Sequence, residues 1–148
     1  MTRERRMMRI GLVGCVKSKL DRSAPARDLY TSPLFQGRRR FVEHSCDRWF
    51  VLSAKYGLVD PDKVLQPYDQ TLKRVGGAER RRWSAAVVSA LELELGAFRT
   101  VVFEIHAGDD YRKYGLEDGV RGRGGRVVVP TSGLSLGEQL AFYRDSGQ

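Results

Sequence analysis

Four short, strongly apolar runs alternate along this chain with stretches of helical periodicity, and that alternation restricts the fold more than any other feature of the sequence. The runs are Met8 to Cys15, Trp49 to Ser53, Thr100 to His106 and Arg126 to Pro130. Each has the length and the near-continuous apolar character of a strand buried on both faces. Between the first two runs, Ser32-Pro33 supplies an N-cap with proline at the first helical position and opens a helix to about His44. Further on, Trp83, Val87, Ala90, Leu91 and Leu95 recur at helical spacing over Ala78 to Leu95, and Gly96 follows as a C-cap. A short helix from about Asp109 precedes the fourth run, and Ser135 with Glu138 forms an S-x-x-E capping box for a last helix to about Arg144. The stretch Ala54 to Arg74, broken by Gly57, Pro61 and Pro67, reads as irregular. Strands alternating with helices predict an α/β fold: a three-layer α/β/α sandwich around a short, mostly parallel sheet of four to five strands.

At 148 residues the chain needs only one core, so a single domain is expected, with residues 1–7 as a flexible basic N-terminus. Cys15 and Cys46 lie far apart without C-x-x-C spacing, and the chain opens without an apolar signal segment, which reads as reduced thiols in the cytoplasm. No apolar run approaches the roughly 18 residues of a membrane helix, so no membrane partner is expected. Lys plus Arg is 26 against 18 Asp plus Glu, a net charge of +8 that favours polyanionic partners. Much of the excess is local, at Arg3, Arg5 and Arg6, at Arg38 to Arg40, at Arg80 to Arg82, and at Arg121, Arg123 and Arg126. These clusters either share one face or are separate solvated faces.

In open α/β sheets ligands bind at the carboxyl ends of the strands, and four polar segments fall there. The first, Cys15-Val16-Lys17-Ser18-Lys19, puts a thiol, two ammonium groups and a hydroxyl in one turn, suited to a phosphate or carboxylate. Cys15 is either a nucleophile or a small buried hydrophobe. The P-loop spacing G-x-x-x-x-G-K-[ST] is absent, so ATP binding is not supported. In the second segment Gly57 permits a positive-φ turn after Ser53, Lys55 can face a phosphate, and Tyr56 and Tyr68 offer flat faces for a base. The alternative is that both tyrosines close the irregular stretch over the core. The third segment holds Glu104, His106, Asp109, Asp110 and Tyr111. On a strand Glu104 and His106 point to one face, giving a carboxylate and an imidazole side by side, as cleavage of an N-glycosidic bond requires; a structural pair is the alternative. With one imidazole nearby no metal is expected, and no cofactor either. In the fourth segment Thr131, Ser132 and Gly133 precede a capped helix and could offer N–H groups to an anion, or serve only as a cap.

The string S-x-x-Y-G-L-x-x-P-D at Ser53 to Asp62, followed by Pro67-Tyr68 and Leu72, resembles the signature of the YaaA family of peroxide-stress proteins. The whole chain also resembles a family of small uncharacterised bacterial and phage domains with C-x-K-S-K, D-L-Y-x-S-x-x-F, S-A-K-Y-G-L and G-L-x-x-G-E-Q. These stand here at Cys15 to Lys19, Asp28 to Phe35, Ser53 to Leu58 and Gly133 to Gln139. The YaaA resemblance implies DNA binding and protection from oxidative damage, and departs at the strand end, where Cys15-Val16-Lys17 stands in place of Pro-Ala-Lys. A more distant likeness to uracil-DNA-glycosylase-like folds is one of fold and partner, not of activity.

Two functions follow as expectations. In the first, the protein is an N-glycosidase or glycosyl-transfer enzyme acting on a nucleotide, nucleoside or nucleic acid. Lys17, Lys19 and Lys55 would hold phosphate, with Ser18, Ser53, Gly57, Tyr68, Ser132 and Gly133 completing the binding set. Tyr56 and Tyr111 would hold base or sugar, and Glu104 with His106 or Asp110 would act on the bond, with Cys15 beside them. In the second, the same basic cleft belongs to a non-catalytic DNA-binding or stress-protection module.

Overall fold

The computed structural model describes residues 7–146. Apart from Met7, the basic N-terminus expected over residues 1–7, with Arg3, Arg5 and Arg6, lies outside them. The chain runs β1 (Met8–Gly14), β2 (Ala24–Pro25), α1 (Ala26–Leu29), α2 (Pro33–Ser45), β3 (Arg48–Ser53), β4 (Gly57–Val59) and β5 (Val64–Leu65). After a 3-10 turn (Leu72–Arg74) come α3 (Gly77–Leu95), β6 (Val101–His106), α4 (Asp109–Arg112), α5 (Leu116–Gly122), β7 (Arg126–Val128) and α6 (Leu136–Ser146). Five strands form the central sheet in the order β4-β3-β1-β6-β7. β1 pairs in parallel with β3 and β6, and β6 with β7. The carboxyl ends of these four strands therefore open on one edge of the molecule, with Val13 opposite His106 and Gly14 opposite Leu52. Only β4 runs antiparallel, at the edge of the sheet beside β3.

β1 sits mid-sheet because it is apolar on both faces, with Ile10, Leu12 and Val13 fully buried. α2 and α6 pack on one another, and α2 also covers β1 and β3 on one face; α3 and α5 pack together on the other face. The result is the expected three-layer sandwich. The helix boundaries follow local chemistry. Ser32 Oγ accepts from Phe35 N at 3.1 Å with Pro33 behind it. Ser135 and Glu138 form a reciprocal capping box at 3.0 and 3.2 Å. Gly96 closes α3 at φ +73°.

Two details differ from the sequence expectation. The stretch Ala54 to Arg74 is not wholly irregular: Gly57 turns at φ +72°, sending residues 57–59 back along β3 as β4. β5 pairs with β2 in a small second sheet. Both strands are too short to carry a readable alternation. The buried face of α3 is Ser84, Val87, Val88 and Leu91, turned from the expected stripe so that Trp83, Ala90 and Leu95 lie at its margin. No described helix is long and apolar enough to cross a membrane.

Candidate functional site

A cavity of about 500 Å³ opens where β1 and β6 end. Its walls come from three places: the β1 exit with Cys15, Val16, Lys17 and Lys19; the β6 exit with Gly108, Asp110 and Tyr111; and α2 with Leu34 and Arg38. The segment Asp69 to Arg74 closes the remaining side through Asp69, Gln70, Thr71, Lys73 and Arg74. Five cationic side chains thus surround two carboxylates, beside the apolar surfaces of Val16, Leu34 and Tyr111. This size and mixture suit a small polar ligand with an anionic part.

Of the residues singled out in the sequence, Cys15, Lys17, Lys19, Asp110 and Tyr111 line this cavity. The Cys15 thiol and the Tyr111 hydroxyl are 3.0 Å apart, and the Tyr111 ring stands edge-on to Trp83 at 5.3 Å. Lys19 reaches back to the Lys17 carbonyl at 3.1 Å, its ammonium over the Tyr68 ring at 4.5 Å. Burial pulls the Lys19 pKa down, against the nearby Cys15 and Asp69. Asp110 is tied to Arg80 at 3.2 Å. Ser18 is exposed on the same loop and does not line the cavity.

The Ser53 to Gly57 segment lies beside the cavity. Ser53 is fully buried; its hydroxyl donates to Tyr68 at 2.8 Å and caps Tyr56 N at 3.0 Å. Tyr68 is in turn 2.5 Å from the Tyr30 hydroxyl, and burial raises the pKa of both phenols. Tyr68 therefore closes the stretch over the core. Tyr56 is exposed, and Lys55 lies over its ring at 5.3 Å, away from the cavity wall. Ser132 and Gly133 are exposed ahead of α6 and do not line the cavity. Two of the four strand-end segments thus meet at the cavity, a third adjoins it, and the fourth stands apart.

Glu104 and His106 do share a face, as expected, but it is the face beneath α2 and α6, and neither lines the cavity. Glu104 is 1% exposed and accepts from Arg9 Nε at 2.7 Å, Ser45 Oγ at 2.9 Å and His106 Nε2 at 2.7 Å. Burial acts to raise its pKa, but the donors of His106, Arg9 and Ser45 outweigh that and hold it at about 2. Burial lowers the pKa of His106, with Glu104 pulling the other way. A carboxylate only accepts, so Nε2–H donates to Glu104, and Nδ1 accepts from the Tyr143 hydroxyl at 2.7 Å. The expected carboxylate and imidazole are therefore a closed pair behind the wall, with the Glu104 charge already neutralised.

Arg38, Asp69, Thr71, Lys73 and Arg74, which line the cavity, were not anticipated as site residues. For Arg38 a signal existed: it lies three residues after Phe35 and four before Val42, both fully buried, so helical spacing puts it on the inner stripe of α2. Read as part of a basic run, it looks like surface. Lys73 and Arg74 reach the cavity only through the course of the 69–74 segment, for which local sequence holds no rule. Among the described residues no three His, Cys, Asp or Glu side chains gather as a metal site. Cys15 and Cys46 are both free.

No solved structure matches the chain. The uncharacterized protein YfjM of Bacillus subtilis (strain 168) is similar, 35% identical over 72 residues that cover 44% of this chain and 48% of that protein. The match thus spans about half the length of that relative. A family model described as a family of unknown function, DUF6884, matches residues 10–145. That span runs from the first central strand through the cavity-lining segments to the last helix, and the chain belongs to the DUF6884 family.

Proposed function

We propose that the cavity takes a phosphorylated nucleoside, free or within a nucleic acid, and that the reaction is hydrolysis or transfer at its N-glycosidic bond. The observation that carries this reading is the lining of one cavity at the β1 and β6 ends by five cations, two carboxylates and an aromatic ring. Lys17, Lys73 and Arg74 supply phosphate contacts, while Val16, Leu34 and Tyr111 offer apolar surface to a base or sugar. The carboxylate for an oxocarbenium-like centre is Asp110, because Glu104 lies behind the wall. Its ion pair with Arg80 at 3.2 Å orients it. A cytoplasmic setting fits free thiols at Cys15 and Cys46.

The test is release of free base from nucleosides, nucleotides and oligonucleotides. The wild type should turn over a phosphorylated substrate, and Asp110→Asn should bind it but react about a hundredfold or more slowly. The second reading, a non-catalytic DNA-binding module akin to the YaaA family, is favoured by the absence of any histidine from the cavity lining among the described residues. It prevails if the wild type releases no base while still binding oligonucleotides.

A further inference from the structure

Among the described residues two arginines, of opposite character, are nearly buried. Arg112, 6% exposed, is fully answered: it donates to Glu117 at 2.5 Å, Asp109 at 2.7 Å and the Ala107 carbonyl at 2.8 Å. Arg38, 5% exposed, has no carboxylate partner among the described residues. Its Nη1 meets the Gly14 carbonyl at 3.3 Å, and its Nε is buried with no partner. Burial lowers the Arg38 pKa, and the groups that act against burial are the Tyr143 phenol, the Cys15 thiol and the Tyr111 phenol, with no carboxylate among them. A guanidinium out of water without a counter-ion is costly, and one that lines a cavity invites an anion into that cavity.

We propose that Arg38 is the anchoring cation of a phosphate seat in the strand-end cavity, and that Tyr143, His106 and Glu104 are the positioning residues that hold it there. The proposal rests on the cavity being a ligand site, not on glycosidic chemistry. Glu104 fixes the His106 tautomer through Nε2, so Nδ1 must accept, and it accepts a hydrogen bond from the Tyr143 hydroxyl at 2.7 Å. With its only hydrogen committed, the Tyr143 oxygen is left as an acceptor, and Arg38 and the 6%-exposed Thr131 both lie close enough to act on the phenol against the effect of burial. The close approach of α6 to α2 depends on Gly37, where a Cβ would stand 2.7 Å from Tyr143 Cβ. The Glu104–His106 pair thereby acts on the cavity through Arg38 without touching its contents. Phosphate is favoured over a carboxylate because Lys17, Lys73 and Arg74 share the lining, enough positive charge for a dianion.

The test uses inorganic phosphate, with acetate at matched ionic strength as the carboxylate probe, followed calorimetrically and by thermal unfolding. Wild type should bind phosphate about tenfold or more tightly than acetate. Arg38→Met should lose phosphate binding by at least about tenfold, yet its Tm in phosphate-free buffer should equal or exceed that of wild type, since an unpaired buried charge has been removed. Arg38→Lys should bind more weakly than wild type, and Tyr143→Phe should weaken phosphate binding without raising Tm. Four results overturn the proposal: unchanged phosphate affinity in Arg38→Met, a failure of that variant to fold, equal affinity of wild type for acetate, or no phosphate binding by wild type. Base release by wild type is scored separately, so a seat without turnover and turnover without a seat are told apart.

Discussion

The Nδ1 of His106 lies 2.7 Å from the hydroxyl of Tyr143, joining the second-to-last strand of the sheet to the last helix across a wholly buried contact. Around it every side-chain polar atom of Glu104 and His106 is engaged, so the pair that sequence spacing brings together is a structural link between β6 and the α2 and α6 layer. The consequences are measurable in stability as well as in binding.

The first concerns pH. The His106 pKa is lowered from 6.5 in the fold, so as pH falls the unfolded chain takes up a proton first, and stability is lost from about pH 6.5 downward. Glu104 is held at about 2 against 4.5 unfolded, so its contribution is whole above pH 4.5 and is lost between there and about pH 2. Both act in one direction. The Glu104 part is on the order of 3 kcal/mol, from about 1.4 kcal/mol per pKa unit. Thermal unfolding from pH 7.5 to 3 should show Tm falling in two stages, and Glu104→Gln should lower Tm at pH 7 and flatten the more acidic stage. A wild-type Tm that is level from pH 7 to 4 contradicts this.

The second concerns the approach of α6. Gly37→Ala puts a methyl group 2.7 Å from Tyr143 Cβ, which the two helices can relieve only by separating. A loss of about 1 to 3 kcal/mol is expected, readable in denaturant unfolding. A neutral substitution would mean that α6 slides freely, and that Tyr143 is not held against His106.

Much of the architecture is legible in local sequence because its determinants are local. Ile10 to Val13 reads as a central strand from composition alone, and Ser32-Pro33 and Ser135 with Glu138 mark helix starts through atoms within three residues of each other. β4 escapes because three residues carry no period, although Gly57, the residue that makes its turn, was recognised as one that permits it. The site is legible by halves. Cys15, Lys17, Lys19, Asp110 and Tyr111 sit where strand-end logic puts them. That Glu104 and His106 share a face is a property of the strand; which helices cover that face is a property of the whole chain, and here they are α2 and α6. Arg38 is hidden for the same reason: its burial depends on Gly14 and Tyr143, 24 residues before it in one case and far beyond it in the other.

The central claim is that the β1 and β6 ends enclose the ligand site, and amide chemical-shift mapping of the isotope-labelled chain titrated with adenosine monophosphate tests it most directly. The account predicts saturable shifts at Val16, Lys17, Lys19, Thr71, Lys73, Gly108 and Tyr111, the cavity lining, and their loss in Arg38→Met. Shifts confined to Ser132 to Gly137, or spread without saturation over the exposed arginines of Arg121 to Arg126, would contradict it.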